Sequence, residues 1–149
     1  MTLEGLDEAA LRAAGGRLAA VARPGDAILL AGDLGAGKTT LARGFLEALG
    51  YVGEVPSPTF TIVQTYDPPE LRLPVWHVDL YRLDGPEDLD ELGLDEARMD
   101  AVLLVEWPER MGAMAWPDAL ALAIEGSGAQ PRRLTARVPA AWEGRWPPQ

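Results

Sequence analysis

The run Ala27-Ile28-Leu29-Leu30-Ala31 leads straight into Gly32-Asp33-Leu34-Gly35-Ala36-Gly37-Lys38-Thr39, and an amphipathic stretch follows. No other part of the chain constrains the fold as tightly. A short, continuous apolar run reads as a parallel strand buried on both faces. Leu41, Phe45 and Leu49 then recur at helical spacing, and Gly50 suits the position just past a helix end. Between strand and helix, glycines let the backbone take positive φ and approach a ligand without Cβ collisions. Strand, G-x-x-x-x-G-K-T loop and helix in that order form the phosphate-binding P-loop pattern. The expected fold is α/β of the P-loop type.

The chemistry follows from the loop. Backbone amides of Leu34, Gly35, Ala36 and Gly37, continued by Lys38, Thr39 and Thr40, make a concavity that suits an anion. The positive end of the helix dipole adds to the attraction. Lys38 supplies a compact charge to the β- and γ-phosphates, and the Thr39 hydroxyl is placed to ligate Mg²⁺. Lys38 is the only lysine among 13 basic residues, so arginine is used everywhere else. A nucleoside triphosphate is the expected ligand.

A P-loop site needs a carboxylate at the end of a neighbouring strand. Glu106 directly follows the apolar run Ala101-Val102-Leu103-Leu104-Val105, and Asp79 lies in His77-Val78-Asp79-Leu80-Tyr81-Arg82. Either could hold Mg²⁺, directly or through water, or orient an attacking water. Thr59, in the loop after the P-loop helix, is placed to sense a γ-phosphate and Mg²⁺. Trp107 is a candidate to stack on a base. His77, the only histidine, reads as a packed strand residue or as an acid/base beside Asp79. The acids between Asp84 and Glu96 read as solvated helix surface, or as a docking face for a basic partner.

The rest of the chain reads as a mixed sheet. Residues 7–22 form an amphipathic helix capped by Asp7, with Leu6 stapling toward Leu11. Residues 60–66 and 73–80 are strands, and the short Asp67–Glu70 turn implies an antiparallel hairpin. Pro86 opens a short acidic helix that Gly93 ends. Residues 101–105, 120–124 and 134–138 are further strands. Two parallel strands are expected at the centre, with hairpin strands beside them and flanking helices. The 149 residues form one domain, with its core at about 6–138 and a loosely held tail over 142–149.

Composition excludes several classes. Without cysteine there are no disulfides, thiolate metal sites or cysteine nucleophile. A formal net charge of −10 argues against direct grip on a nucleic acid backbone, with Arg132 and Arg133 a local basic exception. No apolar run approaches the roughly 18 residues of a membrane span, and no signal pattern opens the chain, so a cytoplasmic protein is expected.

Four motifs, GDLGAGKTT (32–40), SPTF (57–60), HVDLYR (77–82) and VEWP (105–108), together resemble the TsaE family. These are small bacterial P-loop ATPases of tRNA threonylcarbamoyladenosine (t6A) modification. The resemblance implies ATP and Mg²⁺ as cofactors, slow hydrolysis, and two partner proteins, TsaB and TsaD, that carry out the transfer. Contact with tRNA is then only indirect. By motif match Thr39 and Glu106 are metal ligands, Asp79 is the HxDxYR acid and Thr59 the switch-like threonine. Glu8 and Trp107 fall where contacts near the base are expected, and Arg132 is a further match.

Three rivals are weighed. A small-molecule kinase would need a phosphate-clamping lid, yet residues 84–100 are mainly acidic, with Arg98 alone. A GTPase would need N-K-x-D, and the chain has no asparagine. An adaptor that binds ATP only to switch conformation shares every motif with an ATPase.

Overall fold

In the computed structural model, residues 2–33, 35–53, 55, 63–69, 71–83, 86–114, 116–126 and 128–146 are described. The strands are β1 (Thr2–Leu6), β2 (Ala27–Ala31), β3 (Val63–Tyr66), β4 (Val75–Asp79), β5 (Val102–Glu106), β6 (Leu120–Glu125) and β7 (Arg132–Arg137). The helices are α1 (Glu8–Val21), α2 (Lys38–Ala48), α3 (Pro86–Glu91) and α4 (Leu94–Ala97). All seven strands join one sheet in the order β1-β7-β6-β2-β5-β4-β3.

The central strands β6, β2, β5 and β4 are parallel, and the outer pairs are antiparallel. The P-loop architecture read from the sequence is therefore present, with four central parallel strands where two were expected. Burial explains the sequence patterns. Leu11, Leu18, Leu41 and Phe45 of α1 and α2 pack with Ile28, Leu30, Leu104 and Leu122 on one face. Leu89, Leu94 and Met111 pack with Leu29, Leu103 and Val105 on the other. Strands covered on both faces must be apolar throughout, as β5 is up to Val105. In β6 burial alternates instead: Leu120, Leu122 and Ile124 are buried, whereas Ala121 and Ala123 are half-exposed.

Helix α1 begins where Asp7 accepts a hydrogen bond from the Ala10 amide at 2.8 Å. The amide satisfied is one of the unpaired donors that every helix start leaves. Helix α2 ends at Ala48 with Leu49 as its C-cap, and Gly50 takes φ +115°, as its place in the sequence suggests. The two helices meet backbone to backbone. A Cβ on Gly15 would lie 2.0 Å from the Leu41 carbonyl oxygen, and one on Gly44 would lie 1.9 Å from that of Arg12. Neither neighbour is a side chain that can swing aside. Gly44→Ala would gain up to about 1 kcal/mol of helix propensity. Forcing the helices apart costs more, so a net loss of roughly 1–3 kcal/mol is expected. Urea unfolding measures it, and an unchanged midpoint would show that the helices separate freely.

The structure adds two features to these expectations and corrects a third. Strand β1 was not anticipated; it is mostly exposed, and it pairs with β7 through an irregular register. Gly93, at φ +67°, ends one helical turn and starts the next, α4. Of the loosely held tail expected over 142–149, residues 142–146 are described and are anchored, and 147–149 lie outside the described residues. Trp142 is fully buried in the core, and Arg145 holds both carboxylate oxygens of Asp26 at 2.7 and 3.0 Å. The strand expected from residue 60 is described from Val63, and residues 60–62 lie outside the described residues. No helix among the described residues is long and apolar enough to cross a membrane.

Candidate functional site

The parallel strands β2, β4 and β5 end together, and the chain leaves β2 into the loop before α2. Gly32 sits at φ +152°, where a Cβ would come within 2.6 Å of the Ile124 carbonyl oxygen. Gly37, at φ +115°, caps α2, and a Cβ there would strike Leu11 Cδ1 at 2.6 Å. A side chain at either position would displace the loop. Leu34 and Thr59 lie outside the described residues.

Among the described residues, the buried polar and charged side chains are Lys38, His77, Asp79 and Glu106. All four gather at this place. Burying a charge is costly unless partners compensate it, so such a cluster needs an explanation in terms of chemistry. Lys38 Nζ donates to the Gly32 carbonyl at 2.6 Å. Burial pushes the Lys38 amine below its usual range, while Glu106, Asp79, Glu109 and Asp33 pull it back up.

Alternation along β4 and β5 brings the acids together. Asp79 is the register partner of Glu106, so the two carboxylates lie side by side on one face of the sheet. Asp79 accepts from the Tyr81 amide at 2.8 Å. Glu106 Oε2 lies 3.4 Å from Thr39 Oγ1 and 2.6 Å from His77 Nε2. Thr39, Asp79 and Glu106 thus offer hard oxygen donors beside the Lys38 ammonium and a helix start.

Trp107, for which a base contact is expected, sits beside Lys38. The chain bends sharply after Glu106, with Trp107 at φ +60°, a conformation that costs a bulky residue roughly 1–3 kcal/mol. Its ring lies over Lys38 Nζ, 3.7 Å from the centroid, and meets the Tyr81 ring at a tilt of 44°, with centroids 4.8 Å apart. No role is expected of Tyr81 from the residues alone; it lies in HVDLYR, two residues past Asp79.

On the other side of the loop, Glu8, Leu11, Gly35, Ala36, Gly37, Thr40 and Arg132 line a cleft of about 410 Å³. Trp107 does not line it. Arg132 Nε donates to the Ala36 carbonyl at 2.9 Å, and Nη2 reaches those of Gly35 and Gly128 at 3.2 Å. Arg132 therefore ties the 128–132 turn to the loop.

The family model described as "Threonylcarbamoyl adenosine biosynthesis protein TsaE" matches residues 6–134. The chain belongs to the TsaE family. It is 42% identical over 118 residues to the tRNA threonylcarbamoyladenosine biosynthesis protein TsaE of Bacillus subtilis strain 168, covering 78% of this chain and 72% of that protein. To the protein of the same description from Streptomyces coelicolor it is 44% identical over 116 residues, covering 77% and 78%. The crystal structure of YdiB from Bacillus subtilis superposes with a TM-score of 0.79 at 34% identity, covering 97% of this chain and 89% of that one. The resemblance carried by the four motifs thus extends across this TsaE-family fold as a whole.

Proposed function

We propose that this TsaE-family chain is a Mg²⁺-dependent ATPase that supports t6A formation in tRNA in the cytoplasm, working with TsaB and TsaD. The observation that carries this reading is the convergence of Lys38, Asp79 and Glu106, all buried, on the loop that starts α2. The names of the relatives from Bacillus and Streptomyces support the pathway.

The donor set fits the metal. Mg²⁺ takes oxygen ligands at about 2.1 Å, so neighbouring ligands of one ion lie about 3 Å apart. Thr39 Oγ1 and Glu106 Oε2 are separated by 3.4 Å. The metal, when bound, would neutralise charge on the phosphates. Thr39 and Glu106 would hold it, and Asp79 or Glu106 would orient the water. Lys38, turned away from Gly32, would bind the β- and γ-phosphates. Gly35, Ala36, Gly37 and Thr40 would cradle phosphates on the cleft side, with Glu8 toward the nucleoside. Arg132 supports the loop from outside.

In the structure Lys38 is turned back on a carbonyl and covered by Trp107. That arrangement supports low activity alone and activation when partners reorder the site. Phosphate release from Mg·ATP is expected to be slow for the isolated chain. Adding the TsaB–TsaD pair should raise it at least about tenfold, equivalent to roughly 1.4 kcal/mol of barrier. Unchanged turnover would count against partner gating. Tight ATP binding without turnover in either condition would instead favour the conformational adaptor, and transfer of phosphate to a small molecule would favour a kinase.

A further inference from the structure

We infer that His77 is a positioning residue that fixes the Glu106 carboxylate for the divalent metal. The inference rests on the reading of Glu106 as a metal-side carboxylate. His77 and Asp79 are two apart in β4, so they share the sheet face on which Glu106 lies. His77 is fully buried, and Glu106 is nearly so. Their Nε2–Oε2 separation of 2.6 Å is that of a strong, charge-assisted hydrogen bond. The same Oε2 is the oxygen nearest Thr39 Oγ1.

The other ring nitrogen shows what the imidazole is for. His77 Nδ1 is buried and has no hydrogen-bond partner among the described residues. The ring's visible hydrogen bonding is thus directed to one carboxylate oxygen. The register partners of His77 are Gln64 of β3 and Leu104 of β5, and on that face Val75 and Leu104 are buried apolar residues. An aliphatic side chain at 77 would pack with them and leave no orphaned nitrogen. A glutamate has three rotatable side-chain bonds, and without His77 the Glu106 carboxylate would keep the Thr39 hydroxyl at 3.4 Å and the less directional attraction of the Lys38 ammonium. With His77 donating, one lone-pair direction of Oε2 is occupied, and the rest of the carboxylate is held toward Thr39 and Asp79. Hydrogen-bonded second partners of this kind set the orientation of a metal ligand.

The test is ATP affinity by calorimetric titration, with Mg²⁺ and with EDTA, for the wild type, Glu106→Gln, His77→Leu and His77→Gln. The ratio of the two affinities is the metal's contribution, and it is independent of turnover. For His77→Leu that ratio should fall about 10- to 100-fold, the usual penalty for losing such a partner. Affinity in EDTA should stay close to wild type. His77→Gln, whose Nε2 can reach Glu106, should retain most of the ratio. If His77→Leu keeps the wild-type ratio while Glu106→Gln loses it, His77 is a packing residue and the inference fails. If the wild type shows no metal-dependent gain, the metal reading itself fails, and the inference falls with it. Should His77→Leu not fold, His77→Gln decides: retention supports the inference, and loss with the donor still present overturns it.

Discussion

Lys38→Ala is expected to reduce ATP affinity and turnover by roughly 10²- to 10³-fold, the usual effect of removing one charge-stabilising donor. Lys38 opens α2 and is the buried cation beside the loop, with four carboxylates acting on its ammonium. Without it, Asp79 and Glu106 would face the triphosphate with no opposing ammonium, so the loss exceeds one hydrogen bond. Lys38→Arg should recover little, although it keeps the charge. The amine fits between the Gly32 carbonyl at 2.6 Å and the Trp107 ring at 3.7 Å. A planar, forked guanidinium is larger and differently hydrated. This is a physical reason for a chain so biased toward arginine to keep one lysine. Calorimetric ATP titration and phosphate release measure both variants; full activity in Lys38→Ala would sink the P-loop assignment.

Trp142→Ala is expected to cost about 3–5 kcal/mol of stability, the range for truncating a large aromatic in a core. Trp142 belongs to the same apolar cluster as α1, α2 and one face of the sheet. Arg145 lies 4.0 Å over its ring, and its guanidinium also reaches the Val21 carbonyl at 3.0 Å. Truncation would open a cavity and loosen the clasp between Arg145 and Asp26. The Trp142 indole N–H has no partner among the described residues, so Trp142→Phe gives up no hydrogen bond and should cost much less. Urea unfolding separates the two variants. An unchanged midpoint for Trp142→Ala would mean that the last turn is only draped on the core.

What the sequence revealed, and what it hid, follows from the range of the forces involved. The β2–loop–α2 unit was legible because each of its parts is dictated locally, by apolar burial, glycine dihedrals and helix spacing. The pairing of Glu106 with the loop was legible for a similar reason: the acid ends an apolar run. Strand β1 was not, since Thr2–Leu6 buries no side chain fully and owes its state to β7. The anchoring of Trp142 depends on Asp26, distant in sequence, which no local pattern announces. Trp107 was recognised as a site residue, but its direction is set by one backbone angle of +60°. Residue type does not encode that angle, and the ring is found over Lys38.

The glycine contacts between α1 and α2 have a mechanical consequence. Interlocked at Gly15 and Gly44, the two helices lack the layer of side chains that would let one slide or roll over the other. Glu8 at the start of α1 and Thr40 in the first turn of α2 therefore travel as one stiff body. The part of the cleft wall that these two helices supply keeps its spacing. Torsional freedom near the cleft is left to parts outside that contact, the Lys38 side chain among them.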